Sequence, residues 1–410
     1  MYSIFGLFFT GYPYFLKKFR RQRRDILEAR LMFIKAIAMR GEEAARLFYD
    51  EEKFMRHGAM PKRLQKTLVG TNSVQNLDNG KHLNRKAMFM KIMGPESLDR
   101  LETLFERHWH ECRQHWQSKL CITLFDEAEK VLCRTACEWV GVPLQEDEVK
   151  NITSLLSALI DGSGAVGRRH LRGRRARKKL EAWLIPLIKD CRNGNSPKNN
   201  IFHFFTTYRD TAGRLPDERT VAEEVLNLIR PIVAIARYIV FAALALHRHP
   251  EYAPRLRGND RLYENFVHEV RRYYPFFPMI TAKVKTPFEH QGIKFKKGQM
   301  VLLDIYATNH DEKTWKEPGK FYPERFEQWN GNAFNFIPQG GGDHSLNHRC
   351  AGEWITIRLT KAALRLLNEE TEYSVLPDQD LTIDMARIPA IPRSRMKIKV
   401  NPKIEEVLII

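Results

Sequence analysis

Residues 336–353 read FIPQGGGDHSLNHRCAGE, and this stretch decides the fold more than any other part of the chain. Its three consecutive glycines let the backbone adopt positive φ angles or pass close to a flat ligand. Cys350 stands just before a predicted helix, where orphan backbone N–H groups and the helix dipole stabilise a thiolate. His348 and Arg349 add positive charge beside it. The stretch therefore predicts an anionic sulfur held as an axial metal ligand. A phosphate-binding loop is the rival interpretation, but the Lys-Ser/Thr ending of such a loop is missing.

Two shorter motifs precede this cysteine loop. Glu269 and Arg272 are three residues apart, so they share a helical face and can form a fixed ion pair. The sequence Pro-Glu-Arg-Phe follows at 323–326. A Glu-x-x-Arg motif alone is common on protein surfaces. The order of these two motifs and the Cys350 loop is far more specific than any one of them.

A long apolar helix is predicted before the Glu269–Arg272 motif, at about residues 221–247. Thr220 with Glu223 three residues later forms a capping box, which predicts a helix start near Val221. The apolar pattern continues to about His247. Pro231 lies well inside it, and because proline lacks an N–H and crowds the preceding turn, a kink is expected there.

Arg230 stands beside this proline among apolar neighbours on its helical face, where a guanidinium is unfavourable unless an anion accompanies it. Two interpretations follow. One is a structural salt bridge to a glutamate from another helix. The other is a carboxylate-binding arginine at the inner end of an apolar pocket, because its planar fork of donors suits a bidentate carboxylate. The pattern alone does not separate them.

The composition is that of a globular protein. Of 410 residues, 43% are hydrophobic and 28% charged, which excludes a wholly disordered, collagen-like or coiled-coil chain. The net charge of +18 attracts anions: nucleic acid, acidic lipid surfaces or acidic small molecules. No aromatic–basic interleaving or groove-reading motif supports nucleic acid. Residues 168–179 hold eight Lys and Arg, which predicts either a solvated helix face or an electropositive rim near a channel mouth.

The periodicity predicts one domain that is mainly α with a minor β portion. Residues from about 25 to 270 have mostly helical periodicity. Short strands are expected at 281–284, 293–295 and 301–305, and helix again at 354–368. The chain has six cysteines, none in a paired zinc spacing; Cys133 and Cys137, four apart, are interpreted as packing residues rather than a ligand pair.

The first 16 residues are apolar and aromatic but interrupted by glycine and proline, and a basic run follows at 17–24. This segment is consistent with a poor signal sequence, an interfacial membrane anchor or an ordinary first helix. No cleavage site follows, and the apolar stretches fall short of a membrane span of about 20 residues. The default expectation is a soluble, cytoplasmic protein with, at most, weak membrane-surface contact through its N-terminus.

The motifs together resemble the haem-thiolate cytochromes P-450. More closely, EVRRYYP at 269–275, IPQGGG at 337–342 and HRCAGE at 348–353 resemble the bacterial fatty-acid peroxygenase branch. The resemblance runs from about Gly11 to near Lys403. It predicts an apolar N-terminal extension at 1–10 and a single catalytic domain at 11–410.

The resemblance implies haem b as cofactor, with Cys350 as the axial thiolate on iron. It also implies that Glu269 and Arg272 brace the core below the haem, with Arg325 as third partner. Residues expected near the haem and its propionates are His82, Arg85, Lys86, His348 and Arg349.

The resemblance further implies a mechanism. The distal helix lacks the acid-plus-threonine pair of oxygen-activating relatives, and the chain has no Gly-x-Gly-x-x-Gly signature for its own electron supply. Arg230 followed by Pro231 is the mark of the peroxygenase branch. Arg230 is expected to bind the fatty-acid carboxylate, which then acts as general acid–base on hydrogen peroxide. Hydroxylation at the α or β carbon of long-chain acids follows, with no redox partner and no nucleic acid.

Gln75 refines this expectation, because members of the branch with glutamine there mainly hydroxylate and members with histidine tend to decarboxylate the acid to an alkene. Ala236 stands where decarboxylating relatives have Asn, a difference expected to alter helix packing near Arg237, and Ser163 stands where relatives have Phe along the substrate channel. These departures leave chain-length preference and the α/β ratio open. The alternatives are a fatty-acid decarboxylase, a reductase-dependent monooxygenase, or a non-catalytic haem or lipid carrier.

Overall fold

The computed structural model of the chain describes residues 2–3, 5–31, 34–195, 197–210 and 212–401. It is 53% helical with a minor strand portion, which confirms the predicted fold class. The helices are α1 (Phe5–Thr10), α2 (Pro13–Gln22), α3 (Glu42–Phe48), α4 (Lys62–Leu64), α5 (Asn79–Met90), α6 (Pro95–Gln117), α7 (Leu124–Val140), α8 (Val149–Ser163), α9 (Arg168–Arg192), α10 (Ile201–Thr207), α11 (Glu218–Ala234), α12 (Ala236–Arg248), α13 (Tyr252–Leu256), α14 (Asp260–Tyr273), α15 (Ile305–Asn309) and α16 (Glu353–Arg365).

The strands form one larger and two small sheets. They are β1 (Tyr2–Ser3), β2 (Ile26–Leu31), β3 (Ile34–Met39), β4 (Phe54–Met55), β5 (Ile122–Thr123), β6 (Met279–Val284), β7 (Phe288–His290), β8 (Ile293–Phe295), β9 (Met300–Asp304), β10 (Tyr373–Val375) and β11 (Lys397–Val400). The larger sheet has the order β1-β2-β3-β9-β6-β4, with β3 and β9 parallel and β6 and β9 antiparallel. The others are β10-β11-β5 and β7-β8.

The three strands predicted after residue 280 are confirmed as β6, β8 and β9, and the predicted helix at 354–368 is confirmed as α16. The expectation of mostly helix from residue 25 was wrong for β2 and β3. In β3 the last four residues are all buried, because this strand lies inside the sheet with both faces covered. A strand buried on both faces loses the polar–apolar alternation that identifies strands in a sequence.

The long apolar helix is present, but it begins earlier than predicted and is interrupted. It starts at Glu218, and the side chain of Asp217 accepts the N–H of Thr220 at 2.8 Å, so the predicted Thr220–Glu223 capping box does not form. The helix breaks at Ile235, one turn after Pro231, where the N–H of Ile235 bonds to the carbonyl of Ile232. The interruption thus lies at Ile235 and not at Pro231, through which the helix continues, and the kink at Pro231 stays a prediction.

This interrupted helix lies in the main hydrophobic core. The stretch Glu218–Arg248 is long and apolar enough to cross a bilayer, yet 94% of its most apolar window is buried inside the protein, as in the core helix of a soluble protein. Cys133 and Cys137 are buried in the same core. Among the described residues, no group of three or more His, Cys, Asp or Glu side chains could hold a metal ion.

The N-terminal segment contributes to the fold. β1 pairs with β2, and the hydroxyl of buried Tyr12 donates to the carbonyl of Phe276 at 2.5 Å. Met1 and Ile4 lie outside the described residues. The role of residues 1–10 as an extension stays a prediction. On α9, the basic stretch is not uniformly solvated, because Arg177 is buried and pairs with Glu181 at 2.5 Å.

Candidate active site

The cysteine loop is closed by its own backbone. The N–H of Cys350 donates to the carbonyl of Gln339 at 3.0 Å, and the N–H of Gly341 donates to the hydroxyl of Tyr49 at 2.8 Å. Gly342 has a φ of +81°, and a Cβ there would lie 2.4 Å from Oδ1 of Asn347. That close approach excludes any side chain at Gly342, so the glycine run serves the geometry of the loop.

Gln339 directs its amide at the cysteine. Its Oε1 accepts from the guanidinium of Arg271 at 3.0 Å. Its Nε2 donates to Thr356 at 2.9 Å and lies 3.8 Å from Sγ of Cys350. Burial raises the pKa of the Cys350 thiol, and the charge of Lys86 acts in the opposite direction. A donor and a nearby cation are what a sulfur ligand in its anionic form requires.

Glu353 connects the loop to the helix that carries the Glu-x-x-Arg motif. Its carboxylate accepts from Arg271, from Nε of Arg349 at 2.6 Å and from His344 at 3.0 Å. Burial opposes its ionisation, but these three partners outweigh burial and hold the pKa of Glu353 well below its usual range. The guanidinium of Arg349 therefore donates to Glu353 and to the carbonyl of Gly342. Its side chain does not belong to the cluster of cationic and titratable side chains described below. The sequence analysis did not identify Glu353, Arg271 or His344.

The predicted bracing pair has the geometry implied by the resemblance. Both guanidinium nitrogens of Arg272 that face Glu269 lie 2.7 Å from its carboxylate oxygens, and both side chains are fully buried. Nε of Arg325 lies 3.2 Å from the same carboxylate. Each of the three predicted partners is therefore in place.

Four cationic or titratable side chains meet at the edge of the site. The rings of His82 and His348 stack with centroids 3.8 Å apart, and Lys86 donates to the carbonyl of Arg349. Burial, and then the charge of Lys86, lowers the pKa of His82 to about 4. Burial and the charge of Arg56 lower that of His348 well below its usual value. Sequence reasoning missed Arg56, because its partners are distant in sequence.

The cluster of Arg56, His82, Lys86 and His348 has, among the described residues, one salt-bridge partner. This is Asp78, whose oxygens accept backbone N–H groups at 2.7 and 2.8 Å and of which the nearer lies 4.0 Å from His348. Arg56, His82 and His348 line a cleft of about 540 Å³, mouth included. Arg85, predicted to join it, instead pairs with Glu224 at 2.6 Å.

Arg230 lies in the interior, 6% exposed. Its Nη2 donates to Oδ1 of Asn227 at 3.0 Å, and its Nε has no hydrogen-bond partner. Among the residues that the structure describes it forms no salt bridge, so the glutamate expected under the structural interpretation is not found. Burial and the neighbouring charge of Arg177 lower its pKa to about 9, whereas Cys350 acts in the opposite direction. Arg230 and the cysteine sulfur are therefore close enough to interact electrostatically.

Gln75 lies in a single 3₁₀ turn, Val74–Asn76, beside α11. Its Oε1 is buried without a partner. The preceding residue, Val74, donates its N–H to Glu224 at 3.0 Å, which fixes this turn to the helix of Arg230. Ser163 ends α8 and donates to the carbonyl of Ile160, and Ala236 is fully buried at the start of α12.

These side chains fit haem b, the cofactor implied by the resemblance. The cations Arg56 and Lys86, with the neutral rings of His82 and His348 as hydrogen-bond donors, suit two propionates. The buried Cys350 sulfur with a donor beside it suits an iron ligand. Arg230 and Gln75 each hold a buried polar atom with no partner, as expected of groups that meet a substrate or oxidant.

Comparison with known proteins gives the same result. The Cytochrome P450 family model matches residues 245–400, a segment that contains Glu269, Arg272, Arg325 and Cys350. Among curated proteins, taxane 10-beta-hydroxylase from Taxus cuspidata is 23% identical over 381 residues, which cover 84% of this chain and 75% of that protein.

Solved structures are far more similar. Cytochrome P450SP alpha (CYP152B1) in complex with (R)-ibuprofen is 42% identical with a TM-score of 0.94, covering 96% of this chain and 97% of that chain. Cytochrome P450EX alpha (CYP152N1) with myristic acid is 40% identical with a TM-score of 0.93, covering 97% of each chain. A variant of cytochrome P450 OleT in complex with arachidonic acid is 32% identical with a TM-score of 0.94, covering 98% and 97%.

The family binds haem b through a cysteine thiolate, and Cys350 occupies the matching motif. Identity above 30% over nearly the whole length of both chains extends beyond the fold to the branch. The protein is an oxidoreductase that belongs to the cytochrome P-450 family, in its bacterial fatty-acid peroxygenase branch.

Proposed function

We propose that the protein hydroxylates long-chain fatty acids at the α or β carbon with hydrogen peroxide and without a redox partner. The reaction consumes R–CH₂–COOH and H₂O₂ and yields R–CHOH–COOH and H₂O for the α product. The observation that carries the proposal is the buried Arg230, whose Nε has no hydrogen-bond partner and which forms no salt bridge among the described residues. A buried cation of this kind requires an anion, and a fatty-acid carboxylate is the anion that the branch binds.

Arg230 would bind and orient the acid. Asn227 accepts one N–H from Nη2, and the unpartnered Nε–H remains for the incoming carboxylate. Charge-assisted hydrogen bonds from a planar guanidinium fix both the position and the plane of a carboxylate. Fixing the carboxyl end brings the α and β carbons closest to the reacting centre, which accounts for the position of hydroxylation.

The proton transfer would use the substrate itself. When bound, the haem supplies iron with a thiolate ligand that promotes cleavage of the peroxide O–O bond and oxidation of a C–H bond. The carboxylate held by Arg230 takes a proton from one peroxide oxygen and returns it to the other, which leaves as water. The acidic side chains of α11 near this point, Glu223 and Glu224, are occupied by backbone N–H groups and cannot take this role.

Gln75 would favour hydroxylation over decarboxylation. A carboxamide neither accepts nor releases a proton at neutral pH, whereas a histidine at the same place could do both. Its buried, unpartnered Oε1 can accept a hydrogen bond from peroxide or water. Decarboxylation to a terminal alkene is the second candidate, because one structure similar to the chain is that of OleT with a fatty acid.

The test is an incubation of the purified, haem-loaded protein with myristic acid and hydrogen peroxide, without reductase, followed by mass spectrometry. Hydroxymyristic acids are expected. Arg230→Ala should lose them, and Arg230→Lys, which keeps the charge but loses the planar fork, should retain only a small part. Terminal alkene as the main product would replace hydroxylation by decarboxylation. Product only with a reductase, or none with intact haem, would refute the proposal.

A further inference from the structure

The orientation of Arg230 depends on the amide of Asn227. The Nδ2 group of Asn227 has two hydrogens, and both are used: one donates to the carbonyl of Val69 at 3.0 Å and the other to Oε2 of Glu224 at 3.1 Å. The oxygen Oδ1 is therefore the atom that faces Arg230, where it accepts from Nη2. If the amide were turned over, two N–H donors would oppose each other.

Glu224 is the residue that holds this arrangement. Its side chain is 3% exposed, and it receives three hydrogen bonds. Oε1 accepts from Nη1 of Arg85 at 2.6 Å and from the N–H of Val74 at 3.0 Å, while Oε2 accepts from Asn227. One carboxylate thus joins the helix α5, the turn that carries Gln75, and the amide that orients Arg230.

The neighbouring Glu223 has a different task, although its side chain is also buried. Its carboxylate accepts the N–H groups of Thr71 and Asn72 at 3.2 and 2.9 Å and packs against Gly70. Among the described residues, its carboxylate forms no hydrogen bond with Asn227 or with Val74. Glu224 therefore contacts the groups around Arg230 and Gln75, whereas Glu223 contacts the backbone of Thr71 and Asn72. Glu223 thus provides a matched control for Glu224.

We propose that Glu224 is a positioning residue, which sets the orientation of the Arg230 guanidinium through Asn227 and the position of Gln75 through the backbone of Val74. The proposal rests on the proposed function of Arg230 as the carboxylate-binding group. It requires a carboxylate rather than an amide, because all three partners of Glu224 are donors. A glutamine would offer one acceptor oxygen and one amino group, so at least one of the three donors would lose its partner.

The experiment compares Glu224→Gln with Glu223→Gln in the ferric holoenzyme. The first measurement is the dissociation constant of myristate, from the change in the optical spectrum on binding. Glu224→Gln should weaken binding about tenfold, since a hydrogen bond to a charged group contributes about 1.5 kcal/mol. Glu223→Gln should stay within about twofold of the wild type. The second measurement is the ratio of α- to β-hydroxy acid, which should change in Glu224→Gln only.

Two further measurements distinguish a loss of protein stability from a loss of Arg230 positioning. Thermal unfolding of each holoenzyme shows whether both glutamine variants fold. If Glu224→Gln does not fold, the double variant Arg85→Met with Glu224→Gln removes both buried charges and is measured in its place. Asn227→Leu should reproduce the loss of affinity, because it removes the link between Glu224 and Arg230.

The outcomes are distinct from those of the proposed function. Myristate binding within twofold of the wild type and an unchanged product ratio in the folded Glu224 variant would overturn the positioning role. That result would leave hydroxylation by the wild type untouched. Conversely, a wild type that binds myristate but forms no hydroxy acid would refute the proposed function, while a tenfold loss of binding would still support Glu224 as the residue that positions Arg230.

Discussion

Replacement of Arg230 by methionine is expected to change stability and ligand binding in opposite directions. The wild-type structure holds the guanidinium in the interior, with one hydrogen bond to Asn227 and no salt bridge among the described residues. Methionine fills a similar volume without charge. The variant should therefore be more stable than the wild type in the absence of fatty acid, and should bind fatty acid far more weakly.

The magnitude follows from the pKa of Arg230, which burial and Arg177 lower from 12.5 to about 9. At about 1.4 kcal/mol for each factor of ten, keeping this cation inside the protein costs about 5 kcal/mol. Loss of the hydrogen bond from Arg230 leaves Oδ1 of Asn227 buried and unpaired, which destabilises the variant by about 2 kcal/mol. The net gain of about 3 kcal/mol corresponds to a rise of about 3 °C in Tm for 410 residues.

The loss of binding is worked from the same group. Two charge-assisted hydrogen bonds to the carboxylate contribute about 3 kcal/mol in total, so the dissociation constant of myristate should rise about 150-fold. Thermal unfolding with and without myristate, and an optical titration, measure both effects. As a control, Arg272→Met should lower the Tm, because it leaves the buried Glu269 without its bidentate partner. A lower Tm in Arg230→Met together with unchanged myristate binding would refute the reasoning.

Three further outcomes are expected. Glu353→Gln should be less stable at neutral pH by about 3 kcal/mol. The pKa of Glu353 in the folded protein is held below its ordinary value of 4.5. Its contribution to the free energy of unfolding is therefore present above pH 4.5 and is lost as the pH falls. The free energy of unfolding of the variant, measured with denaturant, should consequently decrease less in acid than that of the wild type. Gln75→His should raise the alkene share of the products in mass spectrometry, and an unchanged share would remove Gln75 from the control of the outcome. Without haem, the protein should lose stability as the pH falls from 6.5 towards 4, because the unfolded state takes up a proton at His82 that the folded state does not. His82→Gln should flatten that dependence in urea unfolding, and equal slopes would contradict it.

The sequence predicts the fold where local patterns are specific. The short strands after residue 280 are bounded by turn residues, and they are found where the sequence predicts them. The strand β3 was missed because its burial on both faces is a property of the sheet and not of its own residues. The start of α11 was misplaced because Asp217 competes successfully for the N–H of Thr220, while Glu223 is drawn to the backbone of Thr71 and Asn72.

The residues of the site also divide into those that the sequence predicts and those that it does not. Arg230 could be identified because it is a charged residue among apolar neighbours, and Cys350 because it follows a glycine-rich loop and basic residues just before a helix; a single sequence displays both patterns. Arg56, Glu353 and Glu224 could not, because their roles depend on long-range partners: Arg85 lies 139 residues from Glu224, and Arg271 lies 82 residues from Glu353. Arg85 was expected near the haem from the resemblance; its side chain pairs with the buried Glu224, and its role at the haem stays a prediction.

Buried charges in this protein differ in how fully they are paired. Below the cysteine loop, Glu353 has Arg271, Arg349 and His344 as partners, and Glu269 has Arg272 and Arg325.

Elsewhere buried cations have fewer partners. Arg56 and Lys86 lie beside His82 and His348, and burial with these charges lowers the pKa of both histidines. Arg230 and Arg237 each have a buried Nε without a partner, although Arg237 lies 4.0 Å from Asp161. An uncompensated charge in the interior costs several kcal/mol, so a ligand that completes it is favoured. We propose that Arg56 and Lys86 meet the two carboxylates of the haem that the family implies, and that Arg230 meets the single carboxylate of a fatty acid. Under this proposal, the fully paired charges form the framework that holds the sulfur, and the cations with free donors mark the surfaces that bind ligands.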